Sequence, residues 1–321
     1  MQVTHGTVWA GDVLRGRDPI GLTIGNFDGV HRGHRAMLDR LVEKARELKL
    51  PCSVLTFEPH PREFFEVANA QARSIQAPTR LTRLREKLEL IAEAGVDRVH
   101  VLRFGARLAA LSPERFIEDV LLRGLRVRWL LVGRDFRFGA KRTGDFAALE
   151  VAAGTQGFGL EAMADVMEGG QRVSSSAVRA ALAAGRLDEA ATLLGRPYTM
   201  SGRVAHGEKL GRELGFPTAN IVLRRRPPLE GIYAVTAELE ETHAVLRGVA
   251  SVGRRPTLRK GAPPLLEVHL FDWQGDLYGR HLRVTFLQKL RDEEKYDGLD
   301  ALKSAIAQDV AQAKDYFKRN G

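Results

Sequence analysis

His31 and His34 stand three residues apart in Gly25-Asn26-Phe27-Asp28-Gly29-Val30-His31-Arg32-Gly33-His34, a run that also holds three glycines, an amide and a carboxylate. Side chains at i and i+3 of a helix project to nearly the same side, so two imidazoles at this spacing can donate to one charge developing on a phosphoryl group. Glycines around them let the chain bend sharply and bring backbone N–H groups up to an anion. The elements that would place such a turn are legible on either side. Ile20 to Ile24 reads as a short strand, and Met37, Leu41, Ala45 and Leu48 recur at helical spacing down to Leu50. The histidines therefore fall where a strand hands over to a helix, whose first N–H groups favour phosphate. A glycine-rich turn with two solvated histidines would suit an isolated pair better than this cluster.

Other segments carry chemistry at comparable places. Thr56-Phe57-Glu58-Pro59-His60-Pro61 follows a second strand, and Gly133-Arg134-Asp135-Phe136-Arg137-Phe138-Gly139 follows a strand at Trp129. Val173-Ser174-Ser175-Ser176-Ala177-Val178-Arg179 opens a helix, where hydroxyls beside free backbone donors and a fixed guanidinium fork suit an anion. The second half holds Gly207, Gly211 and Gly215 with Lys209 and Arg212 between them, a loop able to wrap phosphates with backbone donors and basic side chains. It runs into Phe216-Pro217-Thr218-Ala219-Asn220, in which Thr218 and Asn220 share a face if extended. No Gly-x-x-x-x-Gly-Lys-Ser/Thr sequence occurs, which argues against a P-loop phosphotransferase.

A chain of 321 residues with 44% hydrophobic content is enough for two globular domains. The first half alternates strands and helices: Leu84, Leu88 and Ile91 mark a helix, Val99 and Val101 a strand, Phe116 and Val120 a helix, Trp129 to Val132 a strand. This α/β order implies a doubly wound, Rossmann-like parallel sheet that binds ligand beyond the carboxyl ends of its strands. From Ser176 to Leu194 the chain is alanine-rich and helical, and Gly195-Arg196-Pro197 marks a junction. We therefore expect domains at 1–197 and 198–321. Beyond the junction the period becomes two, at Ile232 to Glu238, Gly248 to Val252, Leu266 to Leu270 and Leu282 to Phe286, which suggests a small antiparallel barrel. A terminal helix follows, with Leu299, Leu302, Ile306, Val310, Ala313 and Phe317 as its apolar stripe.

The single cysteine, Cys52, excludes an internal disulfide framework and fits a reducing compartment. With no basic-then-apolar leader and no long apolar run, a soluble, cytoplasmic protein is expected. The net charge of +9 favours anionic partners without naming them. A nucleic-acid-binding barrel would need aromatics interleaved with its arginines, whereas aromatics make up only 7% of the chain, so no nucleic acid is expected. No membrane partner is expected either, and the oligomeric state is left open.

The histidine segment resembles the Gly-x-Phe-Asp-x-x-His-x-Gly-His signature of the nucleotidyltransferase superfamily. More closely, Gly-Asn-Phe-Asp-Gly-Val-His is similar to the bacterial bifunctional riboflavin kinase/FAD synthetases. Ser174 to Arg179 resembles that family's Ser-Ser-Thr-x-Ile-Arg, with Ser176 keeping the hydroxyl of the threonine, and Gly215-Phe216-Pro217-Thr218-Ala219-Asn220 resembles the riboflavin kinase hallmark. The resemblance implies ATP-dependent phosphorylation of riboflavin to FMN, then adenylylation of FMN to FAD, with Mg2+ and with small molecules as partners. It implies ATP phosphates at Gly25, Asn26, Phe27, Asp28, Gly33 and the two histidines, support or nucleotide contacts at Asp135, and departing pyrophosphate at Ser174, Ser175, Ser176 and Arg179. It further implies kinase phosphates at Gly207, Lys209, Gly211, Arg212, Gly215 and Pro217, metal at Thr218 and Asn220, a general base at Glu267, and flavin near His60, Gly231 and Tyr233. Ser251 to Thr257 also resembles a family segment, lining the flavin and nucleotide pockets. A transferase acting on another phosphate acceptor would not explain a kinase-like second half.

Overall fold

The computed structural model describes residues 1–6, 18–68, 76–207, 210–253 and 263–320. Its contacts divide the chain into two compact units, Met1–Pro78 with Thr82–Val173, and Thr79–Leu81 with Ser174–Gly321.

The first unit runs β1 (Gln2–Gly6), β2 (Ile20–Ile24), α1 (Arg32–Glu47), β3 (Cys52–Glu58), α2 (Pro61–Ala68), α3 (Leu84–Ala92) and β4 (Arg98–Arg103). It continues through the short α4 (Ala106–Ala109) and α5 (Pro113–Arg115), a π-helical stretch (Phe116–Gly124), β5 (Val127–Gly133), a 3-10 turn (Ala140–Arg142), α6 (Phe146–Gln156) and β6 (Gly159–Met163), then a small hairpin of β7 (Met167–Glu168) and β8 (Gln171–Arg172). Six parallel strands lie in the order β1-β4-β3-β2-β5-β6. Every residue of β2 is buried, as a central strand covered on both faces requires. Alternate residues of β5 feed opposite faces: Leu130 and Val132 pack with Phe116, Val120 and Leu121, while Trp129 and Leu131 pack with Leu38, Leu41 and Ala45 of α1. The helical face of α1 therefore buries Leu38, Leu41 and Ala45 with Met37 packed partly buried against the same core, while Leu48, expected on that face, is an exposed cap. Cys52 is buried in β3, with Sγ 3.2 Å from Asp97 Oδ2, and burial pushes the thiol up to about 11.

The sheet order reverses at β2. The chain builds β3 and β4 on one side of it, then crosses to build β5 and β6 on the other. Such a reversal leaves a crevice beyond the carboxyl ends of the two strands at the switch, here β2 and β5.

The second unit begins with α7 (Ser175–Ala183) and α8 (Leu187–Leu194), so the alanine-rich stretch is two helices, broken where Gly185 takes φ 72°. It continues with β9 (Thr199–Arg203), the short α9 (Leu210–Glu213), β10 (Ala219–Val222), β11 (Gly231–Leu239), β12 (Val245–Gly253), β13 (Leu265–Leu270), β14 (His281–Arg291) and α10 (Leu299–Asn320). The strands are antiparallel in the order β10-β13-β12-β11-β14-β9. A bridge between Ala205 and Asn220, with an N–H to O distance of 2.7 Å, draws the two edges together into a nearly closed barrel. Leu266 and Val268 point into its core, so Leu265, Glu267 and His269 line the other face. Helix α10 packs on this unit through Ala313 and Phe317, and Asp309 takes two 2.7 Å hydrogen bonds from the Arg291 guanidinium. Its first apolar residue, Leu299, is 59% exposed, so the buried stripe starts one turn later than the periodicity predicts.

Candidate functional site

Between β2 and α1 the backbone takes left-handed values three times in four residues, at Phe27 (φ 48°), Gly29 (86°) and Val30 (40°). A β-branched residue in this region carries strain of order 1–3 kcal/mol, tolerated only where the surroundings over-determine it. Here they do. Phe27 and Val30 are buried in the α1 core, and the Asp28 carboxylate, 2% exposed, accepts from the N–H and hydroxyl of Thr82 at 3.1 and 3.3 Å. The Thr82 hydroxyl in turn accepts from the Gly29 N–H at 3.0 Å, and the Thr56 hydroxyl donates to the Asn26 carbonyl at 3.3 Å.

His31 is the N-cap of α1, and its Nδ1 accepts the backbone N–H of His34 at 3.3 Å. With Nδ1 accepting, a neutral His31 carries its proton on Nε2 and can donate outward. The two rings stack with centroids 3.7 Å apart at 17°, and Phe27 lies 4.9 Å from His34. A Cβ on Gly33 would stand 3.2 Å from the His31 ring, so glycine here makes room for the stack. Burial first, then His31 and then Lys87 hold the His34 imidazole well below its usual range, so it is neutral at pH 7. Among the described residues the buried Nδ1 of His34 and Oδ1 of Asn26 have no hydrogen-bond partner, and buried polar atoms of this kind call for a ligand or another explanation. Lys87 on α3, 1% exposed and 3.5 Å from the Thr56 hydroxyl, carried no sequence signal because its charge fell inside an ordinary amphipathic pattern.

Asp135 follows β5, the other strand at the switch; its exposed carboxylate accepts from Arg172 at 2.6 Å. His60 is buried and caps α2: Nδ1 accepts from the Arg62 N–H at 3.1 Å, and its own N–H donates to Glu63 at 3.2 Å. Ser174 caps α7 through Oγ, which accepts from the Ala177 N–H at 3.2 Å, followed by Ser175 and Ser176; Arg179 donates to the Thr79 carbonyl at 2.7 Å. This serine–arginine group belongs to the second compact unit, and the histidine turn to the first.

In the second unit the expected residues converge at the start of β10. A Cβ on Gly207 would lie 2.6 Å from the Asn220 amide, and one on Gly211 would lie 3.3 Å from Thr218 Oγ1. Asn220 is 7% exposed; Nδ2 donates to the Thr218 carbonyl at 3.2 Å, while Oδ1 is buried without a partner among the described residues. Gly215 takes φ 88°, Arg212 lies exposed on α9, and the Pro217 carbonyl accepts from His269 Nδ1 at 2.9 Å. Lys209 and Arg254 to Thr257 lie outside the described residues. Gly231 begins β11 at φ 122°; Tyr233 is fully buried, its hydroxyl donates to the Glu230 carbonyl at 3.0 Å, and burial pushes it up to about 12.

Strand register then joins residues far apart in sequence. Asn220 of β10 is paired with Glu267 of β13, and Glu267 with Ser251 of β12. Directly opposed residues share a face, so an amide, a carboxylate and a hydroxyl form one row across three strands. Sequence reading gave no sign of a fourth member: the Ser251 hydroxyl donates to Glu293 Oε1 at 3.0 Å. Glu293 sits in the charged run after β14, where nothing separates it from a solvated carboxylate.

Residues 17–177 match the FAD synthetase family and residues 194–317 the riboflavin kinase family. The bifunctional riboflavin kinase/FMN adenylyltransferase of Escherichia coli (strain K12) is 51% identical over 297 residues, covering 92% of each chain. The protein of the same description from Haemophilus influenzae is 46% identical over 318 residues, covering 99% of each. A solved structure described as a macrolide-efflux protein from Streptococcus pneumoniae superposes with a TM-score of 0.78 at 25% identity, over 96% of this chain and 97% of that one. Among the described residues no helix of the present protein is long and apolar enough to cross a membrane.

Proposed function

The chain belongs to the bifunctional riboflavin kinase/FMN adenylyltransferase family, and from that premise we propose how its residues divide the two reactions. The enzyme phosphorylates riboflavin to FMN with ATP, then transfers AMP from a second ATP to FMN, giving FAD and pyrophosphate. In our reading residues 1–197 carry adenylyl transfer and 198–321 carry the kinase.

For adenylyl transfer, an FMN phosphate oxygen bonds to the α-phosphorus of ATP as the bond to the β-phosphate oxygen breaks and pyrophosphate leaves. The nucleophile is already an anion, so the step needs no proton acceptor; it needs positioning and charge neutralisation. His31 and His34 donate to the phosphates from a rigid turn with Gly25, Asn26, Phe27 and Gly33, while Asp28 holds that turn through Thr82. Asp135 keeps Arg172 beside the crevice, Ser174, Ser175, Ser176 and Arg179 receive pyrophosphate, and His60 borders the flavin.

In the kinase step a riboflavin hydroxyl oxygen bonds to the γ-phosphorus as the bond to the β-phosphate oxygen breaks and ADP leaves, and the hydroxyl must lose its proton. Glu267 accepts it. Gly207, Lys209, Gly211, Arg212, Gly215 and Pro217 wrap the ATP phosphates, while Gly231 and Tyr233 shape the flavin wall. Among the described residues no group of three His, Cys, Asp or Glu is placed to hold a metal. The partnerless Oδ1 of Asn220 beside Thr218 fits magnesium, which prefers oxygen and keeps waters and phosphate oxygens as its other ligands. Bound there, the ion would neutralise charge on the transferring phosphates. The single buried thiol supports a cytoplasmic setting.

The register pairing of Asn220 with Glu267 carries this reading, because it sets the metal-ligand candidate and the base candidate on one face. Chromatography of riboflavin, ATP and magnesium incubated with the protein tests it. FMN and then FAD are expected; the absence of both would end the reading.

A further inference from the structure

The resemblance sets Ser251 in a segment lining the flavin and nucleotide pockets, but the division of residues proposed above gives neither Ser251 nor Glu293 a chemical task. Ser251 lies next to Glu267 in the row that begins at Asn220, and its neighbours Ala250 and Val252 face the barrel core at 1% and 0% exposure. Its hydroxyl proton is committed to Glu293 Oε1 at 3.0 Å. A hydroxyl has one proton and two lone pairs, so Ser251 is left facing outward as an acceptor.

Glu293 is exposed as a residue, but its carboxyl lies against the Gly253 backbone. Its carboxyl is seated so close to the Gly253 Cα that any Cβ there would overlap Oε1, Oε2 and Cδ. Burial raises the carboxyl above its usual range; Glu230 and Glu267 push the same way, while the Ser251 hydrogen bond and Arg291 oppose them.

We propose that Glu293 is a positioning residue of the kinase site, fixing Ser251 as the acceptor for a second hydroxyl of the substrate's polyol chain while Glu267 receives the attacking one. Neighbouring strands are about 4.8 Å apart, a span that two hydroxyls of one ribityl chain cover. The pair thereby distinguishes a polyol from a simple alcohol, binding the ground state and transition state alike. This inference rests on Glu267 being the kinase base.

Steady-state kinetics of riboflavin phosphorylation test it with Ser251→Ala, Ser251→Thr and Glu293→Gln. The alanine variant should raise KM for riboflavin roughly tenfold, the loss expected of one hydrogen bond, with kcat little changed; the threonine variant should restore KM. Glu293→Gln, whose amide can donate to Ser251 and reverse its polarity, should raise KM similarly. A riboflavin analogue lacking the hydroxyl that meets Ser251 should bind wild type and Ser251→Ala equally. All three variants should convert supplied FMN to FAD at the wild-type rate, which reports an intact chain. An unchanged KM in Ser251→Ala, or a loss of kcat alone, overturns the proposal. If Glu267→Gln retains kinase activity, the underlying site reading fails instead, and the two failures are separable.

Discussion

In the proposed division, the histidine turn and the barrel row handle the same co-substrate with almost no residue types in common. The turn offers imidazoles and backbone N–H groups, and its one buried carboxylate, Asp28, is occupied by Thr82. The row offers an amide oxygen, hydroxyls and carboxylates at Asn220, Ser251, Glu267 and Glu293. The protonation state of the nucleophile accounts for the difference. A phosphate arrives ionised and needs donors around its reaction, whereas a hydroxyl needs somewhere to put a proton.

The sharpest way to break this contrast is to remove both rings of the turn. His31→Ala with His34→Ala should lower FAD formation by roughly 10⁴-fold, from two lost donors at about 10²–10³ each, and leave FMN formation intact. A normal FAD yield from supplied FMN would take the histidines out of the mechanism. The reciprocal change, Glu267→Gln, should cost about 10³-fold in riboflavin phosphorylation, within the range of a general base, while supplied FMN is still adenylylated. An unaffected kinase rate would mean the proton goes elsewhere.

A third difference concerns stability. In the first unit burial lowers His100 to about 4 and His34 well below its ordinary 6.5. Below pH 6.5 the unfolded chain binds protons that the folded histidines refuse, so stability falls as the pH drops from about 6.5 towards 4. For His100 this amounts to about 3 kcal/mol, or roughly 10²-fold in the unfolding equilibrium. Urea midpoints measured from pH 7 to pH 4 should fall in wild type and fall less in His100→Gln; parallel curves would refute the assignment. The smallest effect expected is at Asn220→Ala, which should raise the magnesium concentration needed for half-maximal kinase activity about tenfold, in the range seen when groups around a metal are lost. An unchanged magnesium requirement would remove Asn220 from the metal site.

What the sequence revealed and what it hid follow one physical line. Strands buried on both faces or on alternate residues were legible: β2, β3, β4 and β5 in the first unit, and β11 to β14 in the second. Apart from the short β7–β8 hairpin, the strands that escaped, β1, β6, β9 and β10, are the edges of the two six-stranded sheets. Half-solvated β1 and β6 show neither alternation nor a continuous apolar run. The candidate site could be read from sequence where a motif is contiguous, as at Gly25 to His34 or Gly215 to Asn220. It was hidden where distant segments cooperate: Thr82 on Asp28, Lys87 beside His34, and Glu293 on Ser251 depend on packing that no local spacing encodes.

Cys52 has a practical consequence. Its thiol is 3% exposed, sits in the central sheet of the first unit, and has been pushed up to about 11, so a thiol reagent finds no thiolate to attack while β3 is in place. The chain has no other cysteine. Alkylation of the native enzyme therefore records openings of the parallel sheet alone, with the barrel chemically silent. Followed by mass spectrometry during catalysis, the rate of labelling becomes a clock for one half of a two-reaction enzyme, read without cutting the chain or adding a probe.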